Sequence, residues 1–229
     1  MSGAQLRFSV IVPTLDEADE IEETLCRAAA AFGPSPEMIA VDGGSSDGTP
    51  ALASRYASVR SVPTPSRGRQ LREGASMASG DVLVFLHADT WVTPDAGAHI
   101  RAAVETGAVA GCLRFALRGP RRIRYRLLER GVNFRTRVFR TATGDQAIFS
   151  TREAYTACGG IPPIPIFEDV RFVRAVRKVG GFRPVRATAL TSARRWEREG
   201  VARTVAHHVL LRGLHTLGVD PGRLAERYR

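Results

Sequence analysis

Short apolar runs rich in β-branched residues recur through the first half of this chain, and each is followed by a segment with helical spacing. Residues 7–13 (RFSVIVP), 37–42 (EMIAVD), 59–62 and 81–86 (DVLVFL) read as strands. Between them, residues 16–33 carry Ile21, Leu25 and Ala28 at helical spacing, with Asp16 or Glu17 as the start and Gly33 as the stop. Further helices are expected over 49–56, 67–78 and 95–105. Strands joined through helices by short loops build a largely parallel sheet with helices on both faces, so the fold class is α/β.

That topology has a chemical consequence. Ligands of such sheets sit beyond the carboxyl ends of the strands. Asp42 ends one strand, and His87, Ala88 and Asp89 directly follow another, so the sheet brings together acids 47 positions apart. A carboxylate in that place suits a hard divalent cation, Mn²⁺ or Mg²⁺, which takes oxygen ligands and shares them with a diphosphate. An acid there can equally cap the following turn. Asp42 could accept from a nucleobase or ribose, or solvate the GGSSDGT turn that follows it. This turn lacks the lysine and the spacing of a phosphate-binding P-loop, which argues against ATP hydrolysis.

The second half is less regular. Residues 108–117 read as a strand, and residues 121–134 as a helix with Ile123, Leu127 and Phe134 on one side. Tyr125 and Phe134 are expected in the core, as is Cys26 on its helix. GDQAIFS (144–150) reads as a turn and strand, with a short helix near 151–157. A further helix carries Val170, Val173 and Val176 as its stripe and stops at Gly180. Glu168 and Asp169 stand at its N-terminus, where the helix dipole favours acids. They either cap the helix or supply a general base for an acceptor hydroxyl. Residues 201–219 form a last helix, suited to packing on the sheet, to a dimer contact or to a membrane interface. No repeat or linker interrupts the 229 residues, so a single domain is expected, with a nucleotide-binding half over about 1–106 and an acceptor half over about 107–229.

The net charge of +10 is concentrated in one place. Residues 114–140 hold ten arginines and one acid, Glu129, while the 23 basic and 22 acidic residues elsewhere nearly balance. A local patch of this kind fits an anionic acceptor or an acidic membrane surface, or is a solvated arginine-rich helix. Base-stacking aromatics are not interleaved with these arginines, which argues against nucleic acid as a partner. Three scattered cysteines form no metal spacing, and the start of the chain has no secretory pattern; a cytoplasmic protein, peripheral at most to the inner membrane face, is expected.

Taken in order, VIVPTLDE, AVDGGSSDGT, RGRQLREGASMASGDVLVFLHADT and GDQAIFSTREAYTACGGIPPIPIFEDVRFVRAVRKVG resemble the blocks of glycosyltransferase family 2, which has the GT-A fold. The combination FLHADT, GDQ, PIFEDV and SARRW looks most similar to a compact bacterial subgroup linked by gene neighbourhood to arsenosugar biosynthesis. The resemblance implies an inverting transfer of sugar from a nucleoside-diphosphate sugar to an acceptor. Pro13, Leu15, Glu17 and Asp42 would line the nucleoside pocket, with Asp42 facing the base, and Arg69 would approach the nucleotide. Asp89 would hold the metal-diphosphate centre. Gly144, Asp145 and Gln146 would contact donor sugar or acceptor, Asp169 would be the base, and Glu168 would position the acceptor.

Two departures from the family pattern stand out. The usual Asp-x-Asp has His87 as its first member, which could ligate Mn²⁺, donate to a phosphate when protonated, or be spared because Asp89 carries the metal; the last two are favoured. The QxxRW block of the processive synthases is absent, although Arg194, Arg195 and Trp196 of SARRW could close over the diphosphate. The alternatives are a sugar-phosphate nucleotidyltransferase, whose glycine- and basic-rich loop after the first strand is missing here, and a non-catalytic binding protein with a basic insert.

Overall fold

In the computed structural model, residues 6–120 and 122–228 are described. Among them, eight strands make one mixed, mostly parallel sheet. In chain order the strands are β1 (Phe8–Thr14), β2 (Glu37–Asp42), β3 (Ser58–Ser61), β4 (Val82–Phe85), β5 (Thr90–Val92), β6 (Ala108–Arg118), β7 (Ile148–Thr151) and β8 (Gly181–Ser192). Their order across the sheet is β3-β2-β1-β4-β7-β6-β8-β5. The four strands read from the first half pair in parallel, Thr14 opposite Asp42 and Ile11 opposite Phe85.

The period-2 alternation of strand side chains divides the core into two layers. Val10, Val12 and Val84 face α1 (Ala18–Ala31) and α4 (Ala96–Glu105), meeting Ile21, Leu25 and Ile100. Ile11, Ile39 and Leu83 face the other way, toward α3 (Arg67–Met77) and α7 (Glu168–Val176), meeting Leu71, Phe172 and Val173. Gly74 is what lets α3 lie so close, since a Cβ there would overlap the Ile11 side chain. The remaining helices are α2 (Thr49–Ala53), α5 (Ile123–Phe139), α6 (Arg152–Ala157), α8 (Arg194–Glu199), α9 (Val201–Thr216) and α10 (Pro221–Tyr228).

Several expectations change. The sheet contains antiparallel pairs, β7 with β4 and β6, and β5 with β8. Strands β5 and β8 were not visible as strands in the sequence. In β8, Pro184 and a register shift against β6 between Cys112 and Arg114 break the alternation that would reveal it. Helix α5 runs five residues beyond 134, and Arg121, where the sequence starts it, lies outside the described residues. Its core face is formed by Tyr125, Val132 and Thr136, while Ile123, Leu127 and Phe134 point to solvent; Phe134 is therefore not a core residue. Cys26 is exposed as well, because its helix buries Ile21, Leu25 and Ala28 on another side. In α7 the buried face runs through Phe172, Val173 and Val176, with Val170 at its edge, and the helix stops at Val176, before Gly180.

Candidate active site

The carboxyl ends of β1 and β4 open onto a cleft of about 1740 Å³. Such a volume exceeds the ~300–1000 Å³ typical of one small-molecule pocket and leaves room for two substrates. Pro13, Leu15, Glu17, His87 and Asp89 line the cleft together with Asp145, Glu168 and Asp169. Arg195 and Trp196 of α8 also line it.

Asp42 is placed differently from the expectation that it faces a base. It is 2% exposed and does not line the cleft. One carboxylate oxygen accepts from Thr14 Oγ1 (3.2 Å) and Ser45 Oγ (2.5 Å), the other from the backbone N–H groups of Gly44 (2.8 Å) and Ser45 (2.9 Å). All four lone-pair directions are thus used by its own loop and by Thr14 of β1, and Asp42 shapes the GGSSDGT turn.

Gln146 is also withdrawn. It is fully buried, donates to Thr136 Oγ1 (3.0 Å) and accepts from the backbone N–H of Thr143 (3.2 Å). With the Thr143 hydroxyl it forms a capping box around the 3-10 turn Gly144–Gln146, so it holds the turn while Asp145 reaches the cleft.

The arginine facing the cleft from α3 is Arg67; Arg69 is exposed and outside the lining. Helical spacing could have found it, because positions 67, 70, 71 and 74 share one face and Gln70, Leu71 and Gly74 on it are buried. Arg67 Nε lies 3.3 Å from Glu168 Oε1, and its Nη1 3.4 Å from His87 Nε2. Burial raises the Glu168 carboxyl to about 7, with Arg67 opposing the shift. Burial, and then the Arg67 charge, hold His87 below the ordinary imidazole value. The ring is therefore neutral near pH 7, which removes support for a protonated His87 donating to a phosphate.

Local backbone geometry aims the acids. Phe167 adopts a left-handed conformation (φ 62°) immediately before Glu168, and Ala147 does so (φ 45°) just after the 3-10 turn. Non-glycine residues in that region store strain; Phe167 directly precedes the cleft acid Glu168, and Ala147 lies two positions after Asp145. Gly68 permits the loop before α7 to cross α3, since a Cβ would lie 2.5 Å from the carbonyls of Pro162 and Ile164. Asp169 Oδ2 then accepts from Gly144 N–H (2.8 Å) and Oδ1 from Val170 N–H (2.6 Å).

Arg194 pairs with both Glu17 and Asp89. Behind Asp89, its backbone carbonyl accepts from Ser192 N–H (3.1 Å) at the end of β8. No cluster of three or more His, Cys, Asp or Glu side chains able to hold a metal occurs among the described residues. A divalent cation at Asp89 would therefore need oxygens from elsewhere to complete its shell, as phosphate oxygens commonly supply for Mg²⁺. His87 Nε2 is turned toward Arg67 and the Gly144 backbone.

Comparison with known proteins fits this geometry. Residues 9–160 match the family model described as "Glycosyl transferase family 2". No curated protein matches. Among solved structures, TarS residues 1–349 of S. aureus with UDP-GlcNAc aligns at 19% identity and a TM-score of 0.65, covering 82% of this chain and 58% of that one. The mannosyltransferase PcManGT of Pyrobaculum calidifontis with GDP-Man and Mn²⁺ aligns at 22% and 0.59, covering 82% and 57%. Glucosyl-3-phosphoglycerate synthase of Mycobacterium tuberculosis with Mg²⁺ and UDP aligns at 23% and 0.61, covering 90% and 78%. The chain thus spans somewhat under three fifths of the first two structures. At these identities the likeness establishes the fold.

Proposed function

The chain belongs to glycosyl transferase family 2, and from that membership we propose that it moves a sugar from a nucleoside-diphosphate sugar to an acceptor hydroxyl by a single inverting displacement. The observation that carries this reading is the pair of acids Asp89 and Asp169 lining one cleft, each at the end of an element that fixes it.

Pro13, Leu15 and Glu17 receive the nucleoside, next to a turn that Asp42 holds in shape. Asp89 would hold Mn²⁺ or Mg²⁺ jointly with the diphosphate, and the cation would supply neutralisation of the charge gathering on the leaving group. Arg194, with Arg195 and Trp196 beside it, closes over the same phosphates. Asp169 takes the proton from the acceptor hydroxyl as that oxygen bonds to the anomeric carbon; the bond from that carbon to the diphosphate oxygen breaks on the opposite side. Two backbone N–H groups fix the Asp169 carboxylate yet leave lone pairs for that proton. Glu168, tied to Arg67, positions the acceptor.

An anionic acceptor fits the far side of the cleft. There the buried Nε of Arg135 has no hydrogen-bond partner, and burial, followed by repulsion from Arg212, disfavours its charge. A phosphate or carboxylate between these two guanidinium groups would relieve both penalties.

Thermal-shift measurements with a panel of nucleoside-diphosphate sugars, with and without Mn²⁺, test the reading. A Mn²⁺-dependent rise in melting temperature with one base supports it. If no nucleoside diphosphate binds in either condition, the reading fails and a non-catalytic binding protein takes its place.

A further inference from the structure

Helix α5 has two apolar faces, and only one is used by the core. With 3.6 residues per turn, Ile123, Leu127, Gly131, Phe134 and Val138 fall within about 80° of arc, on the side away from Tyr125, Val132 and Thr136. Leu127 is 60% and Phe134 67% exposed. Arg126, Arg130 and Arg137 run along one edge of this stripe, Arg124 and Arg135 along the other.

Helix α9 repeats the pattern. Ala202, Val205, Ala206, Val209 and Gly213 make an outward stripe opposite the buried Thr204 and Leu211, with Arg203 and Arg212 at its two edges. Val209 is 66% exposed. Leu127 and Gly131 of the first stripe and Val205 and Val209 of the second line the same cleft, so both stripes stand at its mouth.

We propose that the outward faces of α5 and α9 dock the protein onto an anionic lipid bilayer, with the mouth of the cleft against the membrane. Among the described residues no helix is long and apolar enough to cross a membrane, so the contact is interfacial. Apolar side chains enter the boundary between headgroups and acyl chains, while the exposed edge arginines, Arg124, Arg126, Arg130, Arg137 and Arg203, reach lipid phosphates with their stems lying on the apolar surface. The charge decides against a second copy of the chain as the occupant. Two such faces brought together would set arginine rows against arginine rows, whereas anionic headgroups neutralise them. This inference does not rest on the transferase reading, because docking requires neither donor nor acceptor.

Co-sedimentation of the full chain with vesicles of phosphatidylcholine alone, and of phosphatidylcholine mixed with phosphatidylglycerol, tests it in the absence of nucleotide sugar. The expected result is binding to the mixed vesicles that weakens with salt and is lost in Leu127→Asp/Phe134→Asp, a variant of exposed positions whose folding is checked by circular dichroism. Arg130→Gln/Arg137→Gln should lower the partition coefficient roughly tenfold or more. Failure to bind mixed vesicles, or equal binding to both kinds, overturns the proposal. So does a dimer by light scattering that Phe134→Asp dissociates while vesicles are ignored.

Discussion

Arg194 reaches across 177 positions of sequence to Glu17, placing one Nη2 2.6 Å from Glu17 Oε1 and 3.4 Å from Asp89 Oδ2. A single guanidinium thus stands where a cation and a diphosphate would otherwise balance the two acids. A metal at Asp89 would compete with this arginine for the carboxylate. Arg194→Ala should then strengthen Mn²⁺ binding without donor severalfold, and weaken nucleoside-diphosphate binding about tenfold by loss of a charge-assisted contact. Titration calorimetry with Mn²⁺ alone and with the nucleotide reads both, and movement of the two affinities in the same direction would contradict this account.

Asp169→Asn keeps an oxygen for the Gly144 N–H bond but removes the proton acceptor. Donor affinity should stay within about twofold, while turnover drops about 10²–10⁴-fold, the usual worth of general base catalysis. Product assays beside donor titration separate the two effects. Near-normal turnover would take Asp169 out of the reaction.

Glu168 gives the fold a pH dependence. Its carboxyl is raised by burial from 4.5 to about 7, so the folded chain holds this proton more tightly than the unfolded chain does. The stability it contributes is present below about 4.5 and is lost as the pH rises through about 7. Glu168→Gln mimics the protonated form at every pH. Its melting temperature relative to the parent should therefore climb by several degrees between pH 5 and pH 8 (each kcal/mol is worth roughly 2–4 °C at this size). A difference flat with pH would mean that Glu168 is ionised throughout, neutralised by Arg67.

Gly144 carries no side chain because His87 occupies the space where one would be. Its Cβ would overlap His87 Nε2. Gly144→Ala should cost about 1–3 kcal/mol, the common price of overpacking, and move the N–H that Asp169 accepts. Adding His87→Ala opens the space, so the double variant should recover most of the lost stability in denaturant melts. Additive losses would show that the strain lies in the backbone.

Where β-branched runs alternate with helices, the sequence already tells the fold: β2 runs over the expected residues 37–42 with Asp42 at its end, and Asp89 follows β4. What periodicity cannot convey is the direction of a side chain at a turn. Asp42 and Gln146 have the residue types of ligands, yet both are consumed by hydrogen bonds within a few positions in the chain or from one neighbouring element. Arg67 carried a legible signal in its helical register with Gln70 and Leu71, and Arg69 falls on the wrong side of that register. Phe134 misleads for a different reason. Its helix has an apolar stripe on each of two sides, and spacing alone does not say which one the protein covers.

The bond from Ser192 N–H to the Asp89 carbonyl joins the last residue of β8 to the loop that carries Asp89. Only Ala193 separates that residue from α8, and α9 follows after Gly200. The C-terminal helices therefore hang from a strand end that is tied to the backbone of Asp89. A substitution that displaces α8 is expected to be felt at that carboxylate through the strand end.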